Sequence, residues 1–268
     1  MCDASPPQLD LAVGESVRKR FLGFLSGALR KQGRFEGFLK VTRLRGRDTK
    51  VVHQVVIPYA TYSPWWTDTG FQEVFKRVRD NTLLDLYRLY DLWHLTGQMR
   101  GVDGDILEVG VWRGGSGCLM AARAQRDGFD ATVYLCDNFE GVVKAGGKDT
   151  EYSGGEHADT SADTVEQLVT AMGLQHVKVV PGIFPDESED RVPVERLRLC
   201  HIDVDTYESA ADVLAWVWPR LVRGGLVVFD DYAFYSTEGI TRLVNEQGER
   251  TDLLMVHNLN GHGLLVKR

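Results

Sequence analysis

The stretch Asp105–Gly117, DILEVGVWRGGSG, decides the fold. Asp105 to Val109 reads as a buried strand, and Gly110, Gly114, Gly115 and Gly117 follow at once. The apolar run Cys118-Leu119-Met120-Ala121-Ala122 then opens a helix. Strand, glycine turn and helix form the layout that brings a backbone close to a nucleotide-like ligand. Glycine reaches conformations closed to other residues there and adds no side-chain bulk.

Working outward, strands and helices alternate after Gly104. Apolar runs predict strands at Ile106–Val109, Thr132–Cys136, Val177–Val180, Leu197–Ile202, Leu226–Phe229, Leu253–Val256 and Gly263–Val266. Helical spacing predicts helices at Ser116–Gln125, Asp163–Met172, Tyr207–Trp218 and Thr237–Glu246. Five strands alternating with helices make a parallel sheet. Only HNLNGHG, residues 257–263, joins the last two strands, so they read as a hairpin. The expected fold is α/β: a mostly parallel seven-stranded sheet with an antiparallel terminal hairpin, the Rossmann-like arrangement of class I methyltransferases. Upstream, Val17–Leu29 has helical spacing, Val51–Ile57 is β-rich, and the aromatic Tyr59–Phe71 reads as a loop. Phe75–Met99 reads as one helix whose main part Asn81 or Thr82 could cap. Residues 1–80 are therefore expected to be a mainly helical extension serving acceptor and oligomer contacts, and residues 81–268 the catalytic domain.

The 268 residues suffice for one large α/β domain with an appendage. No signal peptide and no long apolar run is evident, so a soluble cytoplasmic protein without a membrane partner is expected. A net charge of −7 speaks against a nucleic-acid partner. The segment Arg30–Lys50 is locally basic, with eight Lys or Arg against Glu36 and Asp48, and reads as a solvated face. Cys2, Cys118, Cys136 and Cys200 show no CxxC spacing and read as buried, reduced thiols.

In a doubly wound sheet the ligand sits outside the carboxyl ends of the strands. Those ends deliver Glu108 and Gly110, then Asp137, Gly182, Asp203 with Asp205, and Asp230-Asp231. A carboxylate at Glu108, beside the glycine turn, disfavours a pyrophosphate and points to S-adenosylmethionine rather than NAD. Asp137 stands where an acid accepts hydrogen bonds from ribose hydroxyls. The Tyr-x-x-x-Lys pair of short-chain oxidoreductases is absent. Asp203, Asp230 and Asp231 on adjacent strands would repel one another without a cation, and oxygen-only ligands suit Mg²⁺. Asp205 reads as a helix cap before Tyr207.

The motifs EVGVWRGGSGCLMAA, CDNFEG, HIDVDTYES and GGLVVFDDY resemble the macrocin O-methyltransferase family over roughly Leu83 to Arg268. The chain carries Asp137-Asn138 where that family usually has Asp-Ser, and Val204 where it usually has Gly; neither departure removes a carboxylate. The resemblance implies a Mg²⁺-dependent, S-adenosylmethionine-using enzyme, commonly homo-oligomeric, that methylates sugar hydroxyls of glycosylated natural products. It implies metal ligands at Asp203, Asp230 and Asp231. The candidate cofactor-binding residues are Glu108, Gly110, Val111, Gly114, Ser116, Asp137, Asn138, Phe139 and Gly182.

Asp203 is the first candidate for proton acceptor, since it would face both donor and acceptor. His157, in the polar segment Lys148–Asp163, is the second; its loop has the length of an active-site lid. His201 reads as structural and His262 as an ordinary turn residue. Tyr59, Tyr62, Trp65 and Trp66 either stack on a sugar or pack the N-terminal layer. A catechol or other phenolic diol is the alternative acceptor, and a non-catalytic S-adenosylmethionine-binding protein is the alternative class.

Overall fold

The computed structural model describes residues 61–149 and 151–268, with the short antiparallel pair Leu44–Arg45 and Val52–His53. The chain divides into two units, Met1–Ile57 and Pro58–Arg268. The helix expected at Val17–Leu29, the basic segment apart from Leu44–Arg45, Cys2 and Tyr59 lie outside the described residues. The second unit holds a seven-stranded sheet. Its strands are β1 (Asp105–Val109), β2 (Val133–Asp137), β3 (Val177–Pro181), β4 (Leu197–Ile202), β5 (Leu221–Phe229), β6 (Leu253–His257) and β7 (Gly263–Lys267). Their order is β3-β2-β1-β4-β5-β7-β6. The first five run parallel, and β7 pairs antiparallel with both β5 and β6. All seven expected strands are present, as is the terminal hairpin.

Helices cover both faces because the strands are apolar on both. Leu107, Cys200 and Val227 face the layer of α5 (Tyr207–Arg220) and α6 (Glu238–Glu246). Ile106, Leu199 and Val228 face the layer of α1 (Thr69–Val78), α2 (Leu86–Gln98), α3 (Gly115–Arg126) and α4 (Ala162–Met172). Neighbouring residues along one strand thus serve opposite cores. Cys118, Cys136 and Cys200 are buried free thiols. Burial pushes the Cys118 thiol up to about 12, with Glu108 adding to the shift. No helix among the described residues is long and apolar enough to cross a membrane.

The single helix expected at Phe75–Met99 is two helices. Asp68 caps α1 by accepting from the Phe71 amide, and also accepts from Trp93 Nε1. After Asn81 the backbone extends at Thr82, and Asp85 caps α2 by accepting from the amides of Tyr87 and Arg88. A capping carboxylate inside an apolar periodic run restarts the helix at that point. Helix α1 belongs to the second unit, with Phe71 and Val78 fully buried in its core. The structural division therefore precedes residue 80.

The hydrogen-bond ladder continues one residue beyond each strand. Gly110 donates to Cys136 O, Gly182 to Asp137 O, Asp203 to Val109 O and Asp230 to Ile202 O, each at 2.9 Å. This alignment gathers the residues of four loops at one end of the sheet.

Candidate functional site

Gly110 leaves β1 with φ 86°. A Cβ there would come within 1.7 Å of the Asp203 carbonyl oxygen, so only glycine lets these two loops converge. Gly110, Val111, Ser116, Asp137, Asn138 and Gly182 line one cleft together with His157, Asp203, Asp230 and Asp231. Glu108, Gly114 and Phe139 are not on its wall. Gly114 acts through conformation, ending the turn at φ 84° before α3.

Glu108 faces away from the cleft, contrary to expectation. It is fully buried, with Oε1 2.8 Å from His201 Nδ1. Gly117 makes room for it: a Cβ there would lie 2.3 Å from Glu108 Oε2. Asp137 is the carboxylate that keeps an anion out. Its Oδ2 accepts from the amides of Val111 (2.7 Å) and Trp112 (2.8 Å), and its Oδ1 from that of Phe139 (2.7 Å). These turn amides precede the helix N-terminus, where a pyrophosphate would seek donors. Oδ2 is filled by its two amide bonds, and Oδ1 keeps one lone pair for a ligand hydroxyl.

At the ends of β4 and β5, oxygens of Asp203, Asp230 and Asp231 lie within 4.8 Å of one another. Desolvation, with Asp230, Asp231 and Asp205 nearby, raises the Asp203 carboxyl well above the usual range. Asp231 is raised by desolvation and by Asp230 and Asp205. Asp230 is different: burial opposes its charge, yet His262 and Arg88 hold it below the usual range. Such a surplus of buried negative charge, offered by oxygen donors alone, fits a divalent cation.

Two residues of this site escaped sequence reading. Arg88 Nη1 donates to Asp230 Oδ2 at 2.5 Å and lies 3.7 Å from Asp231 Oδ1. Asp85 Oδ2 orients the guanidinium by accepting from Nε at 3.1 Å. The available signal was the spacing Arg88–Leu92–Thr96, which sets an arginine on the buried face of a helix. Tyr152 also lines the cleft, its phenol raised by burial and by Asp205.

Asp205 is not a cap. Thr206 is the N-cap of α5, and the Tyr207 amide donates to Asp149 Oδ1 at 2.9 Å. Asp205 instead lines the cleft with φ 64°. Trp112, His157 and Asp231 on the same wall also have positive φ. Backbone strain of this kind collects at functional sites. His201 lies deeper than Asp203, as expected. His262 is no ordinary turn residue: it is fully buried, with Nδ1 2.8 Å from Asp91 Oδ2.

The segment around His157 is tied to the glycine turn. Asp159 accepts from Trp112 Nε1 at 2.9 Å and from Arg113 Nη2 at 2.6 Å, and Thr160 Oγ1 donates to Trp112 O. The aromatic segment is elsewhere. Trp65 packs edge-on against Tyr87 and Tyr90 at 5.1 and 5.9 Å, while Tyr62 and Trp66 are exposed. None of the three lines the cleft.

The family model for macrocin-O-methyltransferase (TylF) matches residues 82–259. The chain is 35% identical over 167 residues to the mycinamicin III 3''-O-methyltransferase of Micromonospora griseorubida, covering 57% of this chain and 65% of that protein. It is 38% identical over 165 residues to the 8-demethyl-8-(2,3-dimethoxy-alpha-L-rhamnosyl)-tetracenomycin-C 4'-O-methyltransferase of Streptomyces olivaceus, covering 57% and 63%. The chain thus spans less than two thirds of the length of either relative. The structure of the O-methyltransferase NovP superposes with a TM-score of 0.60 at 26% identity, over 70% of this chain and 82% of that one. The calicheamicin methyltransferase CalS11 shares the fold, with a TM-score of 0.57 at 19% identity over 78% and 95%. The family match takes in β1 to β6 and all three clustered carboxylates, and the chain belongs to the macrocin-O-methyltransferase (TylF) family.

Proposed function

We propose that this protein transfers a methyl group from S-adenosylmethionine to a sugar hydroxyl of a glycosylated natural product, with Mg²⁺ held by Asp203, Asp230 and Asp231. The observation that carries this reading is the carboxylate cluster facing the same cleft as the Asp137-filled glycine turn. The acceptor class draws on the two relatives, named for 3''-O- and 4'-O-methylation, the second on a rhamnosyl compound.

When bound, the sulfonium supplies an electrophilic methyl and the divalent cation supplies Lewis-acid stabilisation of charge on the acceptor oxygen. The chain's own residues do the rest. Asp137 offers the remaining lone pair of Oδ1 to a ribose hydroxyl, and Gly110 lets the Asp203 loop approach the turn. Asp203 takes the proton from the acceptor hydroxyl. Arg88 keeps Asp230 ionised and in place. Tyr152 and His157 line the cleft, with His157 a secondary proton acceptor. The protein acts as a cytoplasmic homo-oligomer.

The test is transfer of labelled methyl to a panel of glycosides and simple catechols, with and without EDTA. Labelled glycoside, lost in EDTA, is the expected result. Preferential catechol labelling would move the reading to phenolic acceptors. Tight S-adenosylhomocysteine binding with no transfer to any acceptor would leave a binding protein.

A further inference from the structure

Beneath the carboxylate cluster, three buried side chains point their free atoms at one another. His201 comes from β4, Asp230 follows β5, and His262 precedes β7. One donor atom from each lies within 4.8 Å of the other two. His201 and His262 are 0% exposed and Asp230 is 2% exposed. His201 Nε2, His262 Nε2 and Asp230 Oδ1 each lack a hydrogen-bond partner. The closest pair, His262 Nε2 and Asp230 Oδ1, are 3.1 Å apart, an ion pair when the imidazole is protonated, and a bound cation takes the place of that proton. Buried polar atoms without partners are rare, and three converging on one point call for an ion.

The far nitrogen of each ring is anchored. His201 Nδ1 lies 2.8 Å from Glu108 Oε1, and His262 Nδ1 2.8 Å from Asp91 Oδ2. Asp91 Oδ2 in turn accepts from Asn258 Nδ2 at 2.6 Å and from Asn260 Nδ2 at 3.3 Å. A carboxylate that accepts from Nδ1–H leaves Nε2 as a lone pair. Carboxylate, histidine and metal in line is the usual support of a histidine ligand. Ligands of a tetrahedral zinc ion, bound at about 2.0–2.1 Å, stand about 3.4 Å apart, so small side-chain shifts would complete the arrangement.

We propose that His201, His262 and Asp230 bind one Zn²⁺ ion, with water at the fourth position. Imidazole nitrogen selects zinc, whereas the all-oxygen set of Asp203, Asp230 and Asp231 suits Mg²⁺. The two sites share Asp230: its Oδ1 faces the histidines and its Oδ2 meets Arg88. The zinc site ties β4, β5 and β7 together below the cleft and fixes the shared carboxylate. It stands apart from the methyl-transfer reading, because its test involves no turnover.

The full-length, untagged protein, stripped with a chelator, is titrated with Co²⁺ as a spectroscopic substitute. The expected result is the intense visible band of four-coordinate Co²⁺, displaced by one equivalent of Zn²⁺. Asp231→Asn, which alters only the oxygen cluster, retains the band; His262→Gln loses it. Asp91→Asn weakens Zn²⁺ affinity on the order of 10–100-fold. X-ray absorption of the wild-type zinc form needs no variant and shows two imidazole nitrogens. An all-oxygen shell, a weak six-coordinate Co²⁺ spectrum, or a band that survives His262→Gln would each overturn the proposal. Such an outcome would make the histidines a protonated clamp on Asp230, whatever the methyl-transfer assay gives.

Discussion

Asp203 serves the site through both its backbone and its side chain. Its amide donates to Val109 O at 2.9 Å, and its carbonyl abuts Gly110, while its carboxylate faces Asp230 and Asp231. Replacing the carboxylate by an amide keeps the backbone contacts and removes the proton acceptor. Asp203→Asn should lower kcat about 10²–10⁴-fold, the range for general-base loss, and leave S-adenosylhomocysteine affinity little changed. Steady-state kinetics beside calorimetry would show it; retained turnover would move the base to His157. Gly110→Ala attacks the backbone role instead. A methyl at φ 86° meeting the Asp203 carbonyl should cost about 1–3 kcal/mol, read as a lower Tm by scanning calorimetry. Legibility at this scale follows distance along the chain. Asp137, Asp203, Asp230 and Asp231 could be read because each ends an apolar run. The direction of Glu108 could not, because its partner His201 is set by the β1–β4 register, which pairs Glu108 with His201. Arg88 and His262 reach Asp230 from α2 and from the turn before β7, contacts that local spacing does not encode.

Elements decide how these residues are presented. Asp85 fixes the start of α2 and the aim of Arg88: Oδ1 accepts from the Tyr87 and Arg88 amides, and Oδ2 from Arg88 Nε. Asp85→Ala should cost about 1 kcal/mol as a lost cap, and should loosen Arg88 from Asp230. Denaturant unfolding gives the first effect, and the Arg88 Nε–H resonance reports the second. The loop carrying Tyr152 and His157 has its own fastening. Glu156 accepts at 2.9 Å from the amides of Ser153 and Gly154 and from Ser153 Oγ. Those bonds, the Ser153 amide foremost, lower its carboxyl from 4.5 to about 2. A folded pKa below the unfolded one gives a contribution present above the unfolded value and lost as pH falls through the folded one. The Ser153 and Gly154 amide shifts should therefore hold from neutrality to about pH 4 and move together as the pH nears 2. A midpoint near the ordinary 4.5 would show that the turn is open in solution. Strand and helix positions from β1 onward were legible because apolar period and glycine punctuation agree there. The break between α1 and α2 was not, since apolar spacing persists across residues 78–86 and only the caps at Asp68 and Asp85 reveal it.

For the whole molecule, the parallel sheet concentrates negative charge at one end of β4 and β5, and folding must bear it without a full internal counterweight. Arg88 faces four carboxylates, Asp85 and the three of the cluster, with desolvation raising two of them. A cation that binds only the folded chain stabilises it by mass action, about 2.7 kcal/mol at a hundredfold excess over Kd. For a chain of this size that corresponds to a Tm rise of roughly 5–10 °C. Mg²⁺ should produce such a rise in the wild-type protein. Asp231→Asn then separates charge compensation from simple packing. It removes one of the mutually repelling carboxylates, so the metal-free variant should melt at the wild-type temperature or above it. The same substitution removes a ligand, so the Mg²⁺-dependent rise should largely vanish. Differential scanning calorimetry of both proteins, with EDTA and with Mg²⁺, provides the four melting temperatures required. If Asp231→Asn melts early in EDTA yet gains as much from Mg²⁺ as the wild type, the carboxylate is a structural hydrogen-bond partner and the ion binds elsewhere.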